Sequence, residues 1–164
     1  MTYSTYMESP VGRLLLEADG EGLQRVAFVK SVGQGIGPPA PEPLQNAVNQ
    51  LTAYFAGDLR AFNLPLKLAG TPFQLAVWRA LQDIPYGETT SYGELASRVG
   101  TPKGSRAVGL ANGANPIAIV VPCHRVIGSN GKLTGYGGGL DNKQTLLTLE
   151  RRHAGAQATL IAIR

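Results

Sequence analysis

SYGELASRVGTPKGSRAVGLANG, residues 91–113, reads as two short helices joined by a tight turn. Ser91 can cap a helix over Tyr92–Val99, whose inward positions are Leu95 and Val99. Gly100-Thr101-Pro102 interrupts it, and a second helix is expected over Lys103–Asn112, with Val108 inward and Arg106 outward. This is the pattern of a helix-turn-helix, in which the N-terminal residues of the second helix face nucleic acid. Many helical hairpins share the pattern and bind nothing. The second helix is rich in small residues, with Gly104, Ala107, Gly109, Ala111 and Gly113. Small residues permit close backbone approach to a neighbouring element or a ligand.

Upstream, Thr71 can cap a helix with Pro72 in its first turn and Phe73, Val77, Trp78 and Leu81 on one stripe. We place a domain boundary before it, giving units of residues 1–70 and 71–164. In the first unit Thr2–Met7, Arg13–Ala18 and Leu23–Val29 read as strands, separated by Ser9-Pro10 and by Asp19-Gly20. That is an antiparallel meander. Gly33–Pro43 is expected to be a loop, Leu44–Phe55 a helix with Leu44, Val48, Leu51 and Phe55 inward, and Phe62–Leu68 a further strand. Downstream of the hairpin, Pro116–Pro122 is a short apolar run that reads as a strand. A glycine-rich stretch follows, then an amphipathic helix over Asp141–His153, with a last strand over Thr159–Ile163.

The chain has 164 residues, 43% of them hydrophobic and 16% charged, which excludes an intrinsically disordered chain. One Cys excludes an internal disulfide and a thiolate-rich structural zinc site. The opening residues show no basic and apolar leader and there is no long apolar run, so a cytoplasmic protein without a membrane anchor is expected. Residues 1–70 hold 5 Lys/Arg against 6 Asp/Glu, whereas residues 71–164 hold 10 against 5. The basic excess lies wholly in the second unit, which suits a polyanionic partner or an ordinary basic surface.

The sharpest chemical feature is Ile119-Val-Val-Pro122-Cys123-His124-Arg125-Val126-Ile127. A lone Cys is usually a small buried hydrophobe. Here the adjacent His and Arg argue for an electropositive site that favours the thiolate. On an extended chain neighbouring side chains diverge, so His124 is expected to act as general base on Cys123 through one water. The base needs an orienting acceptor, and residues 71–164 offer only Asp83, Glu88, Glu94, Asp141 and Glu150. Of these, Glu150 lies on the amphipathic helix. Gly135-Tyr136-Gly137-Gly138-Gly139 lacks the context of a phosphate-binding loop and reads as a connector or a pocket wall.

Pro122-Cys123-His124-Arg125-Val126 resembles the active-site signature of the O6-alkylguanine-DNA alkyltransferases. Ile84-Pro85-Tyr86-Gly87-Glu88, Arg106-Ala107-Val108-Gly109, Asn115-Pro116 and Gly135-Tyr136 resemble further family segments in order and spacing. The resemblance is strong over residues 71–153 and looser before them. It implies an α/β (α+β) fold: a ribonuclease-H-like N-terminal antiparallel sheet with a helix, then a winged-helix-like domain with a helix-turn-helix. It implies a single-turnover methyltransferase that repairs DNA by moving the alkyl group of O6-alkylguanine, and of O4-alkylthymine, to Cys123 after base flipping.

In that reading His124 takes the thiol proton through water, Glu150 holds the imidazole, and Asn115 braces the turn. Arg106 fills the space of the flipped base, and Tyr92 rotates the phosphate and donates a proton toward guanine. Lys103, Ser105, Ala107 and Gly109 join Arg106 and Tyr92 on duplex DNA, in the minor groove. Tyr136, Gly137, Val126 and Asn112 line the base pocket. No cofactor and no metal are implied, since no Cys or His precedes Cys123 to build the N-terminal zinc site of some members. A monomer is expected, with cooperative assembly on DNA as an alternative. Two rival functions are a non-catalytic helix-turn-helix DNA-binding protein and a Cys-His thiol hydrolase.

Overall fold

The computed structural model describes the backbone of residues 1–29 and 40–163, with side chains as far as Gly155. It divides into two compact units, one of Met1–Ala69 with Pro116–Val120, the other of Gly70–Asn115 with Val121–Arg164. The first unit opens on β1 (Tyr3–Met7), β2 (Arg13–Ala18) and β3 (Leu23–Val29), paired antiparallel in that order. Strict alternation in β2 buries Leu14, Leu16 and Ala18 on one face, and register sets Leu14 opposite Phe28 and Leu16 opposite Val26. Helix α1 (Glu42–Phe55) packs on β1 and β2 through Leu44, Ala47, Leu51 and Tyr54.

The expected stripe through Val48 and Phe55 is one residue off, because Ala47 and Tyr54 take the inward positions. Most of the expected Gly33–Pro43 loop lies outside the described residues, and Glu42 and Pro43 are already helical. Phe62–Leu68 is not a strand. Only Leu66 forms a bridge, parallel to Leu23, closed by Leu23 N–H to Pro65 O (2.8 Å) and Lys67 N–H to Leu23 O (2.8 Å). Pro65 has no N–H to extend the ladder. Gly22 is required beside it, since a Cβ there would lie 2.8 Å from Pro65 O.

Pro116–Val120 likewise makes a single bridge, Ile117 to Val26, rather than a strand. Ile119 breaks the extension by adopting φ 72°, a left-handed conformation that a β-branched residue rarely takes. The side chain is fully buried, and the packing around it holds the backbone in this conformation.

In the second unit, α2 (Pro72–Gln82) starts with a reciprocal capping box between Thr71 and Gln74. It buries Val77, Trp78 and Leu81, and Trp78 Nε1–H donates to Ala111 O at 2.9 Å. A two-residue strand, β4 (Thr90–Ser91), leads into α3 (Tyr92–Arg98), which Ser91 caps by accepting from Glu94 N–H. Helix α4 (Ser105–Gly113) follows the turn. Lys103 therefore precedes the helix instead of opening it: Gly104 N–H closes the turn onto Thr101 O (2.7 Å), so Gly104 becomes the cap.

The chain then forms one 3-10 turn, Cys123–Arg125, and β5 (Val126–Ile127), which pairs parallel with β4. Cys123 and His124, expected on an extended chain, sit on this turn. The last helix, α5 (Leu140–Ile163), continues through Thr159–Ile163, where a strand was expected. Ala154, Ala156, Ala158 and Ala162 carry high helix propensity through that tail. No described helix is long and apolar enough to cross a membrane.

Candidate active site

Pro122 ends the apolar run and the backbone closes at once. Cys123 N–H donates to Val121 O (2.8 Å) and Arg125 N–H to Pro122 O (3.0 Å). With about three residues per turn, Cys123, His124 and Arg125 fan around one axis instead of alternating across a strand. All three are buried. The turn, not an extended chain, therefore sets the relation of thiol to imidazole.

Helix α5 supplies the groups that meet this turn. Lys143, Leu146, Leu147 and Glu150 are its buried stripe, at the i, i+3, i+4, i+7 positions of one face. Glu150 Oε2 lies 2.6 Å from His124 Nε2, with side-chain exposures of 1% and 0%. Arg125 grips the same carboxylate twice, through Nε–H to Oε1 (2.8 Å) and Nη2–H to Oε2 (3.1 Å). Its Nη1–H donates to Ile84 O at 2.7 Å, and the guanidinium stands 5.7 Å from the Tyr86 ring centre. Gly87 N–H reaches Glu150 Oε1 at 3.4 Å.

Burial alone would raise the Glu150 pKa, but the hydrogen bonds and charges of His124 and Arg125 overcome it and bring it to about 2. Burial lowers the His124 pKa below its usual value, with Glu150 opposing. An ionised carboxylate can only accept, so His124 Nε2 must carry the proton and Nδ1 the lone pair. That Nδ1 is buried with no hydrogen-bond partner in the protein. The site thus holds a neutral imidazole with a free basic nitrogen.

Burial pushes the Cys123 thiol up, while hydrogen bonds from Asn115 and Tyr136 and the charge of Lys143 pull it back toward thiolate. Lys143 is a site residue that the sequence did not single out. It is fully buried, its Nζ–H donates to Thr134 O (2.9 Å), and it lies 5.9 Å from the centre of the Tyr92 ring. The available signal was a cation on the inward stripe of an otherwise apolar helix face, two turns before Glu150. Arg125 belongs to the signature, but its grip on Glu150 arises only once the turn and α5 pack together.

Asn115 Nδ2–H donates to Val121 O (2.8 Å), which holds the chain entering the site. Asn112, on the buried face of α4, donates from Nδ2 to Cys123 O (3.3 Å) and keeps Oδ1 buried and unpartnered. Tyr92 O–H donates to Thr134 O (3.3 Å). Tyr136 is half-buried, and burial with the Cys123 charge holds its phenol well above the usual range. Val126 is buried in β5, whereas Gly137 is exposed with open space where a Cβ would be. Ser105, Arg106 and Ala107 stand exposed on the first turn of α4, beside exposed Lys103; Gly109 is half-buried, facing the Tyr92 ring. Among the described residues no cluster of His, Cys, Asp and Glu is suited to hold a metal ion.

A thiol, a neutral imidazole oriented by a carboxylate and a cation beside them define a protein that reacts through cysteine, next to a helix-turn-helix. The comparisons agree. Residues 72–152 match the model "6-O-methylguanine DNA methyltransferase, DNA binding domain", and residues 1–68 match "6-O-methylguanine DNA methyltransferase, ribonuclease-like domain". A methylated-DNA–protein-cysteine methyltransferase of Mycolicibacterium paratuberculosis is 57% identical over 160 residues, covering 94% of this chain and 95% of the relative. Its counterpart in Methanosarcina acetivorans is 55% identical, covering 90% and 97%. The crystal structure of the Mycobacterium tuberculosis O6-methylguanine methyltransferase superposes with a TM-score of 0.85 at 51% identity, over 98% of this chain and 99% of that one. The Mycobacterium tuberculosis protein in complex with DNA gives 0.82 at 53% identity, over 90% and 92%. The chain belongs to the O6-methylguanine-DNA methyltransferase family.

Proposed function

We propose that the protein repairs duplex DNA by direct reversal, moving the alkyl group of O6-alkylguanine irreversibly to Cys123, with O4-alkylthymine a further substrate. The observation that carries this is the buried Cys123 turn backed by neutral His124 and ionised Glu150. The thiol proton passes through one water to His124 Nδ1. The sulfur attacks the alkyl carbon in line, an S–C bond forms, and the C–O6 bond breaks. The electron pair returns to the guanine, which is protonated from the Tyr92 side. Lys143 and the Asn115 and Tyr136 hydrogen bonds offset part of the cost that burial places on the thiolate.

Because the thiol is buried, the base must leave the duplex. Residues 71–164 bear the DNA contacts, with Arg106 filling the vacated stack and Lys103, Ser105, Ala107, Gly109 and Tyr92 near the minor groove. Tyr136, the Gly137 N–H, the Val126 carbonyl and Asn112 receive the flipped base. Residues 1–70 form the supporting N-terminal domain. The protein acts as a monomer in the cytoplasm, where a reducing environment keeps its thiol free, and needs no cofactor.

The test is intact-mass analysis and peptide mapping after incubation with a duplex containing O6-methylguanine. One methyl per chain on Cys123 is expected, and Cys123→Ser should bind the duplex without accepting it. An unmodified Cys123 after prolonged incubation would overturn the reading. Turnover on an ester or peptide with Cys123 regenerated would favour a hydrolase.

A further inference from the structure

Leu110 is 73% exposed, and among the described residues Met1 is the one large apolar side chain more open than it. A single exposed leucine is ordinary; its surroundings are not. It lies one helical turn after Arg106 on the face of α4 opposite the buried Val108, Ala111 and Asn112. Apart from Arg106, the other exposed residues of that helix are small: Ser105, Ala107 and Gly113. No Asp or Glu occurs from Leu95 to Leu140, while Arg98, Lys103, Arg106 and Lys132 are exposed. An apolar side chain standing alone on a cationic face of small residues fits the minor groove, where proteins insert leucine against sugars and between base steps.

We infer that Leu110 is a second minor-groove contact of this protein, an apolar wedge that works beside Arg106 to hold the duplex while the lesion is extruded. Four residues of helix advance about 6 Å, less than two base-pair steps of about 3.4 Å. A duplex engaged by Arg106 therefore meets Leu110 as well. The wedge removes apolar surface from water and displaces no counterion, so it adds affinity with no salt dependence of its own. This rests on the DNA-facing role proposed for α4.

Leu110→Ala tests it, since alanine preserves the helix and leaves the buried face untouched. Two measurements are made on the full-length protein: duplex affinity across a salt series, and transfer to Cys123 from an O6-methylguanine duplex and from free O6-benzylguanine. We expect duplex affinity and limiting-duplex transfer to fall about tenfold, with an unchanged salt slope and an unchanged rate on the free base. Wild-type affinity for the duplex, or equal slowing on both substrates, would overturn the wedge. Failure of the unsubstituted protein to alkylate Cys123 from either substrate would instead reject the function proposed above, and the affinity series would still judge Leu110.

Discussion

Glu150 accepts from a histidine, an arginine and a backbone N–H at once, and the proton on His124 Nε2 follows from that. Both pKa shifts make acid unfavourable to the fold. Glu150 falls from 4.5 to about 2 on folding, so its contribution is complete above pH 4.5 and is lost as pH drops toward 2. The His124 pKa falls below 6.5 on folding, so stability declines as pH drops below 6.5, where the unfolded chain binds the extra proton. Glu150→Gln should lower stability by about 3–5 kcal/mol, because Arg125 keeps its charge in a buried place without a counter-charge. It should slow alkylation by free O6-benzylguanine about a hundredfold. It should also move the acid limb of the rate to lower pH, since Glu150 is what raises the His124 pKa. Thermal melts and rate profiles from pH 4 to 8 read all three. A variant that melts lower but reacts at the wild-type rate with the wild-type pH profile would reduce Glu150 to a structural role. Cys123 and His124 were legible because they adjoin in sequence, and Glu150 because acidic residues are few in that half. Lys143 was not, because only packing turns a helix-borne lysine inward.

Helix α4 shows how an element carries both legible and hidden information. The sequence-based outline of the helix-turn-helix matches the structure because Ser91, Gly100 and Pro102 are local signals, a side-chain cap and two backbone constraints, that act without tertiary packing. The start of α4 shifted from Lys103 to Ser105 because a hydrogen bond at Gly104 decided it. Short apolar runs fared worse. Phe62–Leu68 and Pro116–Pro122 have the composition of strands, yet each finds one bridge only, a matter of which β3 residue lies free beside them. Arg106, exposed on the first turn of α4, gives this element its prediction. Arg106→Ala should slow transfer from an O6-methylguanine duplex about a hundredfold while changing the reaction with free O6-benzylguanine less than about twofold, because the free base needs no extrusion. Single-turnover rates on the two substrates measure it, and equal slowing would remove the arginine from base flipping.

Across the chain the charge is divided: residues 1–70 hold one more acid than base, and residues 71–164 hold five more bases than acids. Two of those bases, Arg125 and Lys143, are buried in the active site and offer nothing to a phosphate. Among the exposed ones, Arg98, Lys103, Arg106 and Lys132 share the acid-free stretch that contains α4. If three or four of them each neutralise one phosphate, log affinity for duplex DNA falls with log salt at a slope of about −3 to −4. Between about 50 and 200 mM salt that is a loss of about a hundredfold. Free O6-benzylguanine is uncharged and releases no counterions, so its rate should change little over the same range. The two substrates therefore separate the recognition surface from the buried chemistry in one titration, followed by Cys123 alkylation. A salt-insensitive duplex affinity would mean that the basic half does not meet phosphates at all.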